Sequence, residues 1–94
     1  MTSNFDNYKR FVNTVTSTES KDSDAFIYRL QELGGSVAIQ RLLTASVGIS
    51  AESGEFMEIV KKIIFQGKPC NEDNLEHLKI ELGDIMWYVA QACM

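Results

Sequence analysis

Apolar residues recur at three- and four-residue spacing along nearly the whole chain, which holds a single proline, Pro69, and no Val/Ile/Thr-rich alternation bounded by turns. That period belongs to one face of an α-helix, not to the two-residue repeat of a strand, so the sequence predicts an all-α fold, a bundle of about four helices per chain. Phe5, Tyr8, Phe11, Val12 and Val15 form the first stripe, Asn4 stands where a cap is needed, and the polar run Thr16 to Asp24 reads as a loop. Asp22 or Ser23 starts a second helix with Phe26, Ile27, Leu30 and Leu33 inward, Gly34-Gly35 ends it as a left-handed C-cap, and Ser36 caps the third helix. Val37 to about Gln66 is one long helix with room for a kink at Gly48 to Ser50, where glycine weakens it. Gly67 suits a C′ position, Pro69 forbids continuation, and Asn71 caps a last helix that carries Glu72 and Asp73 in its first turn and runs to the end.

The 94 residues suit a single domain over 1–94, long enough for one core. The start "MTSNFDNYKR" has no apolar stretch of the secretory kind, and no apolar run approaches a membrane span, so a cytoplasmic location and no membrane partner are expected. Cys70 and Cys93 lack any C-x-x-C spacing and read as free thiols. A formal charge of −4, with no basic block longer than Lys61-Lys62, argues against nucleic acid as a partner. An anionic ligand would therefore need lysines or a metal at its site.

Acids are placed less evenly than apolar residues. Glu52 and Glu55 lie three apart within or beside the stripe of Phe56, Ile59 and Ile63. On the last helix Leu82, Ile85, Met86, Val89 and Cys93 are expected to be buried, with Glu81, Asp84 and Tyr88 on a flank beside them. If the stripes pack, the two acid pairs meet. Ionised carboxylates a few ångströms apart repel by about 1 to 4 kcal/mol per pair, depending on the effective dielectric, so such a cluster calls for neutralisation. A hard divalent cation with oxygen ligands provides it, and Mg²⁺ shares its shell readily with substrate phosphates. An E-x-x-E by itself is common on solvated helix faces; the second pair, inside the apolar "LKIELGDIMWYVAQA", is what makes a metal site worth weighing.

"ESGEFMEIVKK" followed by "ELGDIMWYVA" resembles the MazG-type branch of the all-α nucleoside triphosphate pyrophosphohydrolases, whose signature is E-x-x-E, a variable spacer and E-x-x-D. Here Glu52-x-x-Glu55 and Glu81-x-x-Asp84 are separated by 25 residues. The likeness covers residues 40 to 94, and the first helix is similar in character only. It implies hydrolysis of a nucleoside triphosphate (NTP or dNTP) between the α- and β-phosphates, giving monophosphate and pyrophosphate in nucleotide-pool house-cleaning. It further implies that Glu52, Glu55, Glu81 and Asp84 hold one or two Mg²⁺ ions, for which Mn²⁺ can substitute. Glu52 or Glu55 would also take the attacking water's proton, and the bundle would form a homodimer or a dimer of dimers. Members of the family continue past the E-x-x-D helix into an Asn-, Lys- and Arg-bearing segment; here phosphate contacts are expected from a segment after Met94 or from Lys61, Lys62 or Lys68.

Other residues have plainer readings beside the functional ones. Glu58 could be an outer ligand, but it stands four before Lys62 and a helix-face salt bridge explains both, which leaves Lys62 divided between that bridge and substrate phosphate. His77 has no E-x-x-H partner and reads as solvent-facing, which also weakens a ferritin-like di-iron reading. Gly67-Lys68-Pro69 is no P-loop. Trp87 suits an interface, while Tyr88, on the acid flank, suits the substrate pocket. Two rival functions stand beside the hydrolase: a non-catalytic helical interaction module, and another enzyme of the same fold such as a dUTPase or phosphoribosyl-ATP pyrophosphohydrolase.

Overall fold

The computed structural model describes residues 2–94, which divide into two compact units, one ending at Val37 and the other spanning Ala38–Met94. All regular structure among the described residues is α-helical, in five elements. Among the described residues no helix is long and apolar enough to cross a membrane.

The first unit contains α1 (Asn4–Val15), α2 (Thr18–Lys21) and α3 (Ser23–Gly34). The cap of α1 is Ser3, not Asn4: its Oγ accepts from the Asp6 N–H at 3.0 Å while Asp6 Oδ2 accepts from the Ser3 N–H at 3.3 Å. Ser3 prevails because a carboxylate lies three residues on to return the bond; from Asn4 the same step reaches Asn7. The expected loop Thr16 to Asp24 holds the one-turn helix α2, too short to show a period. Asp22 closes that turn and caps α3, its carboxylate accepting from the Ala25 N–H at 2.9 Å.

The end of α3 departs from the expected left-handed cap. Gly35 has φ −76°, and the Ser36 and Val37 N–H groups both reach the Leu33 carbonyl, at 2.9 and 3.0 Å. Right-handed turning continues there, so the glycines are not used for positive φ. Leu30 and Leu33 are half-buried, but Phe26 and Ile27 stay exposed, as do Phe5, Tyr8, Phe11, Val12 and Val15 on α1. Within this unit α2 packs on α3 alone, and three short helices offer too little surface to cover those stripes.

The second unit is an antiparallel hairpin of α4 (Ile39–Phe65) and α5 (Glu72–Ala92). Ala38 precedes α4 without a side-chain cap, so Ser36 does not serve, and α4 passes through Gly48 and Gly54 as one element. Gly67 takes φ 72°, the C′ conformation that glycine adopts at least cost, and the Lys68 N–H returns to the Lys62 carbonyl at 3.1 Å. Asn71 Oδ1 accepts from the Asn74 N–H at 3.0 Å, and Asn74 Nδ2 donates to the Pro69 carbonyl at 2.6 Å, tying the turn to the helix it begins.

The hairpin packs through Ala45, Gly48, Glu52, Phe56, Ile59 and Ile63 on α4 and Leu78, Glu81, Ile85 and Tyr88 on α5, residues stepping by three or four on each helix. On α4 the part through Phe56, Ile59 and Ile63 is the expected stripe, joined here by Ala45 and Gly48. On α5 the stripe is not the expected one: Leu82, Met86, Val89 and Cys93 are exposed, and of the expected buried set only Ile85 faces inward. At 100° per residue the mixed ridge through Glu81 lies about 90° around the helix from that apolar stripe. The helix therefore turns its acid-bearing ridge toward α4 and keeps its more apolar ridge for another surface.

Candidate metal centre

Glu52 and Glu55 stand one turn apart on α4, as do Glu81 and Asp84 on α5. Antiparallel packing brings the first three together: one carboxylate oxygen from each of Glu52, Glu55 and Glu81 lies within 4.8 Å of the others. Asp84 is exposed and lies outside that triangle. With Glu52, Trp87 and Tyr88 it lines an open recess beside it. Three of the four acids thus meet, with Asp84 beside them, and they do so because the ridge through Glu81, not the apolar stripe of α5, faces α4.

Glu81 is buried, at 5% exposure, and not on the flank its spacing predicts, because the ridge that faces α4 runs through it. Glu52 is half-buried and Glu55 exposed. Glu52 Oε2 and Glu81 Oε2 are both shut off from solvent and accept no hydrogen bond. Two ionised carboxylates cannot supply each other with a donor, and a buried oxygen without one costs free energy. A proton shared between them is one remedy. Accordingly a hydrogen bond with Glu81 pushes the Glu52 carboxyl above its ordinary range, helped by burial and by the charges of Glu81 and Asp84 and opposed by a hydrogen bond with Glu55. A divalent cation is the other remedy, and an all-oxygen, all-anionic donor set suits a hard one.

Tyr88 owes its place in the recess to Gly48. A Cβ at position 48 would fall within 3.0 Å of the Tyr88 ring, so only glycine lets that ring lie on the α4 backbone. In the sequence alone, Gly48 is merely a weak point in a helix. Gly48→Ala should force the ring aside and destabilise the hairpin by about 1–3 kcal/mol, the usual cost of overpacking, which urea denaturation would measure. The displaced ring should also alter near-UV circular dichroism, because Trp87 packs edge-on against Tyr88 with ring centroids 5.0 Å apart. Trp87 is itself 57% exposed.

Lys61 and Lys62 both reach Glu58, at 3.1 and 3.6 Å, and Lys61 ahead of Lys62 holds its carboxyl below the ordinary range. All three side chains are close to half exposed, so these pairs contribute little to stability. Lys62 thus has the salt bridge its spacing suggests. His77 faces solvent, at 51% side-chain exposure, yet its Nε2 lies 3.3 Å from Glu81 Oε1. The signal for that contact is the four-residue step from His77 to Glu81, which metal motifs alone do not contain.

The gene 37 protein of Mycobacterium phage L5 is similar to this chain, 39% identical over 70 residues that make up 73% of the chain. The match spans only 60% of the phage protein's length, and that protein's name states no activity. No family model matches the chain, and no solved structure matches it.

Proposed function

We propose that the chain is a Mg²⁺-dependent nucleoside triphosphate pyrophosphohydrolase of the MazG type, cleaving NTP or dNTP to monophosphate and pyrophosphate. The observation that carries this reading is the convergence of Glu52, Glu55 and Glu81 across two rigid helices, with two of their oxygens buried and without donors. Carboxylates held so close are a liability in a merely structural hairpin and an asset in a cation cradle. When bound, Mg²⁺ would polarise phosphate oxygens and acidify a coordinated water for in-line attack at the α-phosphorus.

The chain's own residues divide the remaining work. Glu52, Glu55 and Glu81 hold the ion, and Asp84 extends the acidic surface toward the recess where substrate phosphates would lie. Glu52 or Glu55 accepts the water's proton: Glu55 is the accessible member of the cluster, while Glu52 binds protons more tightly than an ordinary carboxylate. Tyr88 and Trp87 line the recess, where a base can stack on an aromatic ring. Lys62, one turn beyond Glu58, would have to exchange its salt bridge for a phosphate to serve the substrate. The uncovered α5 ridge of Leu82, Met86 and Val89 supports assembly into a homodimer or a dimer of dimers, since a hairpin whose buried apolar side chains are Ala45 and Ile59 is too small a core to stand alone.

The test is an assay of the purified chain against the eight common NTPs and dNTPs and phosphoribosyl-ATP, with product identification, alongside sedimentation at micromolar concentration. Pyrophosphate and monophosphate should appear in equal amounts with Mg²⁺ and vanish with EDTA, from a particle larger than one chain. Release of orthophosphate instead, or no turnover of any triphosphate, would overturn the reading. Exclusive cleavage of dUTP or phosphoribosyl-ATP would move it to one of the sibling activities.

A further inference from the structure

We propose that His77 is a positioning residue for the metal cradle, holding the Glu81 carboxylate so that one oxygen is tethered and the other is committed to the ion. This rests on the metal-site reading and adds to it a residue that the E-x-x-E and E-x-x-D spacing does not contain. His77 and Glu81 are four apart on α5, hence stacked on one face. His77 Nε2 is 3.3 Å from Glu81 Oε1, the Glu81 side chain is 7% exposed, and Glu81 Oε2 is buried without a donor. The two oxygens of one carboxylate therefore differ in their surroundings: one has a nitrogen beside it and the other has only the acid cluster to turn to.

His77 has no competitor for this role. Among the described residues no lysine or arginine nitrogen comes within 4.0 Å of Glu52, Glu55, Glu81 or Asp84, so His77 carries the one cation-forming side chain that touches the four acids. Its nitrogen does not join the set of oxygens that converge, which leaves it behind the ligand instead of among the ligands. Chemistry favours imidazole there. Neutral histidine with its proton on Nε2 donates to a carboxylate without a permanent charge, whereas a lysine would place a full positive charge beside the cation it is meant to help bind. Outer partners of this kind set the orientation of a ligand, and their removal typically weakens metal binding about 10- to 100-fold.

The experiment is titration calorimetry of the full chain with MgCl₂ and with MnCl₂, without nucleotide, on wild type, His77→Ala and His77→Gln. The alanine variant should bind about 10- to 100-fold more weakly, and the glutamine variant, whose amide can donate to Glu81, should recover most of the loss. Because His77 is half exposed, the metal-free urea midpoint of both should stay that of wild type. An unchanged affinity in His77→Ala overturns the proposal, as does an equal loss in both variants or a urea midpoint that falls with the affinity. If wild type binds neither cation, the metal-site reading falls first and takes this inference with it, a result distinguishable from loss of the positioning role alone.

Discussion

Glu55→Gln and Asp84→Asn, made separately, are each expected to cut pyrophosphate release on the order of 10³-fold, about 4 kcal/mol of transition-state stabilisation, with the helical circular dichroism of wild type retained. Both changes keep shape and remove charge. Both side chains are exposed, so neither change leaves a buried cavity or an orphaned core group to unfold the hairpin. The pair also separates the members of the site. Glu55 belongs to the triangle of converging oxygens, whereas Asp84 reaches the site through the recess it shares with Glu52. Loss in both supports a four-acid site; loss in Glu55→Gln alone confines the chemistry to the triangle. Full activity in both removes these acids from the reaction.

Much of the hairpin is legible in the sequence because its signals are local. Gly67 at positive φ, Pro69 just beyond and Asn71 capping Asn74 lie within a few residues of one another, and each acts through its own backbone. The acid pairs are legible for the same reason, since a three-residue step on a helix has one geometric meaning. The rotation of α5 is not. A stripe of Leu82, Met86, Val89 and Cys93 says that a face will be covered, not by what, and here α4 takes the ridge of Glu81 and Tyr88 instead. The fit of Tyr88 on Gly48 is hidden likewise, because the residue explaining that glycine stands 40 positions away. Ser3 in place of Asn4 is readable from Asp6, but only by checking which of two adjacent caps has a carboxylate to answer it.

Removal of the Glu52 charge should shift stability in opposite directions with and without metal. Glu52 binds its proton more tightly in the folded hairpin than an ordinary glutamic acid does, chiefly through the hydrogen bond with Glu81. An acid whose folded pKa is raised contributes stability that is fully present below its unfolded pKa and is lost as pH rises through the folded one. At neutral pH without metal, wild type has lost that contribution and keeps the repulsion, so Glu52→Gln should melt higher, by a few degrees. The gap should close as pH falls through the range just above that of an ordinary glutamic acid. Asp6 and Glu58, held below the ordinary range, favour the folded chain at higher pH, but they do so in both proteins and cancel in the difference. Saturating Mg²⁺ should reverse the order, since a ligand at 100 times its Kd adds about 2.7 kcal/mol to the form that binds it and nothing to the form that does not. Melting curves of both proteins from acid to neutral pH, with EDTA and with MgCl₂, provide the check. Parallel curves with equal gains from Mg²⁺ would mean that Glu52 neither shares a proton nor holds the ion, and the buried oxygens of the cluster would then need another explanation.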